Sequence, residues 1–124
     1  MVAFVAGIEN YKHRQKLKNP VRDAKAITQL LEAQNVEVFP AYDCGIDELK
    51  LQFDLFEAAL RPGDTAFLFF ACHAEMFENV LRLIAISNSD KSDLTADALN
   101  LSVLLARLAT LDPHWCPSVT IHAV

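Results

Sequence analysis

Glycine is scarce in this chain: three in 124 residues, standing far apart at Gly7, Gly45 and Gly63. A phosphate-binding loop needs clustered glycines after a strand, so that backbone N–H groups can wrap the anion. Gly7 stands alone after the first apolar run, which argues against a small nucleotide-binding domain. An acidic receiver-type pocket is equally poorly supported near Glu9 and Asp43. No apolar stretch approaches the ~18 residues of a membrane span, and no charged-then-apolar leader opens the chain. The sequence therefore predicts a cytoplasmic protein without membrane contact. Basic charge is also short: Lys and Arg number 11 against 16 Asp and Glu, a net charge of −5. The densest basic group is the scattered set Lys12, Arg14, Lys16 and Lys18, so a nucleic-acid partner is not expected. Three cysteines (Cys44, Cys72 and Cys116) are an odd number in unrelated contexts. They suit reduced thiols better than a disulfide framework.

What the chain does have is apolar content, 52% of its residues, arranged in alternating strand and helix patterns without a composition break. Its length fits one domain, 1–124, able to bury a real core. The patterns predict parallel strands near 2–7, 36–39 (closed by Pro40), 65–71 and 118–123. Helices are expected near 20–34, 47–60 and 101–111. Asn19-Pro20 marks the first helix start, with Asn19 as cap. Val21, Ala24, Ile27, Leu30 and Leu31 supply its apolar face. Ile46, Leu49, Phe53, Phe56 and Leu60 step by three or four along the second helix, and Leu101, Leu104, Leu105 and Leu108 along the third. Met76 to Ile86 is an excursion that suits a small hairpin, followed by a polar surface loop over 88–97. The order implies an α/β fold, a parallel sheet with helices on both faces. Ligand chemistry in such sheets gathers at the carboxyl ends of the strands. Two of those ends read Cys72-His73 and His122-Ala123-Val124.

These residues resemble a family. The opening V-A-F-V-A-G-I-E-N-Y-K (Val2–Lys12) looks like the first strand and loop of caspase-like cysteine peptidases. L-K-N-P-V-R-D-A (Leu17–Ala24) is similar to the start of helix one in the paracaspase, metacaspase and orthocaspase type. R-P-G-D (Arg61–Asp64) and F-L-F-F-A-C-H-A (Phe67–Ala74) resemble the strand that ends in Gly-His-Gly. L-S-V-L-L-A-R-L (Leu101–Leu108) is like the helix before the nucleophile strand. The resemblance implies a three-layer caspase-like fold, with only its large-subunit half in this chain. It implies a cysteine endopeptidase mechanism, in which a thiolate attacks, a histidine relays protons and backbone N–H groups hold the oxyanion.

Residue by residue, His73 matches the catalytic histidine. Position 124, about fifty residues on, matches the nucleophile, the separation expected of that type, but Val124 occupies it. Asp23 matches the carboxylate that receives a substrate Arg or Lys side chain. It reads equally well as a solvated residue favoured by the dipole of the first helical turn. Ala74 replaces the glycine beside the oxyanion contacts, Cys72 the glycine before the histidine, and His122 the usual Asp. The resemblance thus implies a peptidase that is inactive as written. The alternative is a non-catalytic interaction module that dimerises with or regulates an active relative.

No cofactor is evident, and calcium is suggested by the family alone. Cys72 is a poor substitute nucleophile, because neighbouring strand residues point to opposite faces. Cys116 precedes the last strand, at the end of the sheet far from His73. Cys72, His73 and His122 could form a soft metal site only with a further ligand, and no metal is expected. Without a following half, the strand at 118–123 should leave an unpaired edge. Val119, Ile121 and Trp115 would then be uncovered, favouring self-association or a partner chain. A peptide substrate would require a supplied nucleophile.

Overall fold

Two runs rich in Val, Ala and Phe pair first: β1 (Val2–Gly7) lies parallel to β3 (Ala66–Ala71), with Val2 opposite Ala66 and Gly7 opposite Ala71. The computed structural model describes residues 1–9, 19–61, 64–77, 80–84, 98–109 and 118–122. β2 (Glu37–Tyr42) adds to the other side of β1, and β7 (Ser118–His122) adds to β3, both parallel. The sheet order is β2-β1-β3-β7. Between β1 and β3 the connections diverge, one toward β2 and one toward β7, and the crevice there is where parallel sheets take ligands.

Strand alternation divides the core into two layers. Phe4, Ala6, Leu68, Phe70 and Cys72 face α2 (Ile46–Ala59) and α3 (Leu101–Ala109), meeting Leu49, Phe53, Phe56, Leu104 and Leu108. Rings dominate this side: Phe4 lies edge-on to Phe53 at 5.4 Å between centroids, and Phe70 is 5.5 Å from Phe4. Burying one such side chain contributes about 1.5–3 kcal/mol, so this layer carries most of the stability. Ala3, Val5, Phe69 and Ala71 face α1 (Pro20–Glu32) through Ala24, Ile27 and Leu31. Helices on both faces give the expected three-layer architecture.

The differences from expectation are local. Pro40 does not close β2; the strand runs through it to Tyr42, with Pro40 opposite Val5. β2 is the outer strand on that side, where the absent N–H of proline costs no ladder bond. Leu30 is 58% exposed, and Thr28 is buried in its place. On a 3.6-residue helix the buried row runs 20, 24, 28, and position 30 falls on the opposite face. Thr28 Oγ1 donates to the Ala24 carbonyl at 2.9 Å. Its single proton being used, Tyr42 Oη donates to it at 2.6 Å.

The excursion after β3 is a hairpin that begins earlier than expected. β4 (Ala74–Phe77) and β5 (Val80–Ile84) pair antiparallel, and β6 (Ala98–Asn100) joins β5. β6 escapes sequence reading because three residues, A-L-N, run straight into the apolar pattern of α3. The polar loop expected over 88–97 lies outside the described residues.

Candidate functional site

Gly7, at the carboxyl end of β1, sets the geometry of this edge. A Cβ there would lie 2.7 Å from the Pro20 carbonyl oxygen and 2.8 Å from the Ala24 Cβ. Only glycine lets the first turn of α1 press this closely on the sheet. The Ile8 N–H donates to the Ala71 carbonyl at 2.9 Å, tying the ends of β1 and β3 together beneath the crevice. His73 follows two residues after Ala71 and is 7% exposed. Cys72, just past the end of β3, lies buried in the phenylalanine core on the α2 side.

On the far side of β3, Ala71 stands opposite His122 at the end of β7. The two strand ends expected to converge are parallel neighbours in register. Val124 lies outside the described residues, as do Cys116 and Trp115. Ala74 opens β4 opposite Leu83. An extended strand is open to any residue, so alanine is accommodated where glycine was expected.

Asp23 sits in the first turn of α1, above Gly7, and is exposed. A buried carboxylate would bind a cation more strongly, so burial here has to come from whatever covers it. A cavity of about 480 Å³ beside α1 is lined by Glu9, Val21, Arg22, Lys25, Ala26 and Gln29. Its two cations suit it poorly to a cationic side chain. A second, of about 600 Å³, involves Val2, Glu37 and Asp64 at the amino ends of the strands, far from this edge. Neither is lined by His73 or Asp23.

The sequence reading passed over what holds α1 in place. Asn19 is not its side-chain cap. It adopts a left-handed conformation (φ 67°) and offers only its carbonyl, to the Asp23 N–H at 2.8 Å. The cap comes from the loop after β1: the Val21 N–H donates to Glu9 Oε1 at 3.1 Å. The Glu9 N–H in turn donates to Asp43 Oδ1 at 2.9 Å, and the Asp43 N–H to the Gly7 carbonyl at 2.9 Å. Both acidic residues thus hold backbone amides. The available signal was that each follows the end of a parallel strand, where backbone donors turn toward the same edge.

Cys44, just after β2, is buried. Burial, reinforced by the negative charge of Glu48, pushes its thiol up to about 11. It is a protonated, inert thiol at neutral pH. Among the described residues, no three His, Cys, Asp or Glu side chains gather as metal ligands. Nor is any described helix long and apolar enough to cross a membrane.

A parallel sheet between two helical layers, with a buried histidine just past the carboxyl end of a central strand, defines a class of α/β domains in which strand ends carry the chemistry. Comparison makes it specific: the model of the caspase domain matches residues 1–114. The chain belongs to that family, whose members include caspase-like cysteine peptidases. The match ends before β7, so position 124 falls outside it. No curated protein matches the chain.

Proposed function

We propose that this chain is a caspase-like domain of the paracaspase, metacaspase or orthocaspase type. In this reading it keeps the histidine and the Arg/Lys-directed carboxylate but has no nucleophile. His73 is the proton-relaying residue, Asp23 the carboxylate for a substrate Arg or Lys, Ala74 the neighbour of the oxyanion contacts, and Val124 the occupant of the nucleophile position. The observation that carries this is the register of β3 with β7, Ala71 against His122. That register sets the end of β3, two residues before His73, beside the end of β7. A valine side chain has no electron pair with which to attack a carbonyl, so the chain does not hydrolyse peptides. The test is incubation with Arg- and Lys-containing reporter peptides, with and without calcium: none should be cleaved. Cleavage abolished by Cys72→Ala would contradict this reading.

A second reading is favoured by one observation. Among the described residues, β7 pairs on one side only, at the edge of the sheet. A strand edge is a template for another chain. A domain without a nucleophile can act there as an interaction module, joining a second copy or an active relative. Sedimentation across a concentration series tests this reading, which a monomer at every concentration would contradict.

A further inference from the structure

Glu9 and Asp43 lie at the same sheet edge as His73, yet neither has a part in the chemistry above. Together they form a relay. Gly7 accepts from the Asp43 N–H, Asp43 Oδ1 accepts from the Glu9 N–H, and Glu9 Oε1 accepts from the Val21 N–H, at 2.9, 2.9 and 3.1 Å. Val21 is two residues before Asp23 in the first turn of α1. Asn19 gives that turn no side-chain bond. The carboxylate of Glu9 is thus a side-chain restraint on the turn that bears Asp23, and Asp43 restrains Glu9.

The relay has a built geometry. Asp43 adopts a left-handed backbone (φ 47°), a conformation that few residues other than Gly, Asn and Asp take readily. That turn, directly after β2, lets one residue offer both its N–H and its carboxylate back across the sheet edge. The close packing of Gly7 under Pro20 and Ala24 fixes how near α1 lies. The first N–H groups of the helix still need acceptors, and the Val21 N–H finds one in the Glu9 carboxylate. An exposed carboxylate on a fraying turn is a poor partner for a cation, because ordering it costs entropy at the moment of binding.

We infer that Glu9, held by Asp43, is a positioning residue that presents Asp23 to the cationic side chain of a peptide. This rests on the reading of Asp23 given above.

The test uses the full chain and N-acetyl-arginine amide, with the citrulline analogue as uncharged control, followed by NMR titration and amide exchange. Glu9→Ala should weaken arginine binding roughly five- to tenfold, about what loss of one hydrogen bond of ordinary strength gives. It should speed exchange of the Val21 amide while the β1 and β3 amides keep their protection. Asp43→Gly, which tolerates the left-handed backbone while removing the carboxylate, should do the same. The two changes together should do no more than either alone, since they break one relay. Glu9→Gln, which keeps an acceptor oxygen, should restore binding to within about twofold of the original. Unchanged Val21 exchange in Glu9→Ala overturns the inference. So does faster exchange throughout β1 and β3, which would mark Glu9 as a general stabiliser. The reading of Asp23 is judged separately. If Asp23→Asn leaves the preference for arginine over citrulline intact, that reading fails, whatever Val21 shows.

Discussion

Gly7 shows how far one residue decides this edge. The atoms its Cβ would meet are a backbone oxygen and the Cβ of Ala24, neither of which can swing aside. Gly7→Ala should therefore cost about 1–3 kcal/mol, the range for overpacking a tight contact. Urea unfolding should show a lower midpoint with an unchanged slope. Cys44 makes a second prediction. Its thiol rises from 9.0 to about 11 because burial, and then Glu48, disfavours the thiolate. In the window from about 9 to about 11 the unfolded chain loses this proton and the folded chain keeps it. Stability from this group is then full below the lower value and falls as pH rises through the window. Alkylation of Cys44 in the folded chain should be slow at pH 7.5, and Cys44→Ala should flatten the alkaline loss of stability.

Among the elements, the contact of α2 with α3 sets two kinds of interaction side by side. Arg107 donates to Glu57 at 2.9 Å and Asp54 at 3.1 Å, and its guanidinium lies 5.6 Å from the Phe53 ring centroid. The arginine side chain is 42% exposed, so solvent screens these pairs. Arg107→Ala should cost about 1 kcal/mol or less. Phe53, at 1% exposure against Phe4 and Phe56, should cost about 3–5 kcal/mol on truncation to alanine. Thermal unfolding of the two variants ranks them; an Arg107→Ala loss equal to that of Phe53→Ala would show that polar clamping, not ring packing, joins the helices. The helices with strong periodicity were legible for the same reason. Ile46, Leu49, Phe53 and Phe56 recur on one face and are all buried. Legibility failed where a residue answers to its neighbours. Leu30 carries the right chemistry on the wrong face, and Pro40 is allowed in a strand only by its outer position in the sheet. Asn19 has the right residue type for a cap, but Glu9, from a distant loop, takes the role.

For the whole molecule, the sheet order decides what the sequence could only suggest. Placing His73 near the last strand required β3 and β7 to be parallel neighbours, and they are, with Ala71 against His122. The family was legible in an ordered set of motifs, from Val2–Lys12 to Leu101–Leu108. The relay of Glu9 and Asp43 was not, because it depends on the edge that the ends of β1 and β2 build with the first turn of α1. Among the described residues β7 lies at the edge of the sheet, which predicts self-association that persists in salt, since apolar strand pairing is insensitive to screening. Strong exchange protection of 118–122 in a monodisperse monomer would count against it. The proposed reading, a caspase-like site that keeps its histidine and lacks a nucleophile, is tested most directly by turnover. The purified chain and its Val124→Cys variant should release no reporter from Arg or Lys peptides, with or without calcium, because Ala74 and His122 still depart from the family's pattern in the variant. Cleavage by the unaltered chain that disappears in His73→Ala would contradict the account.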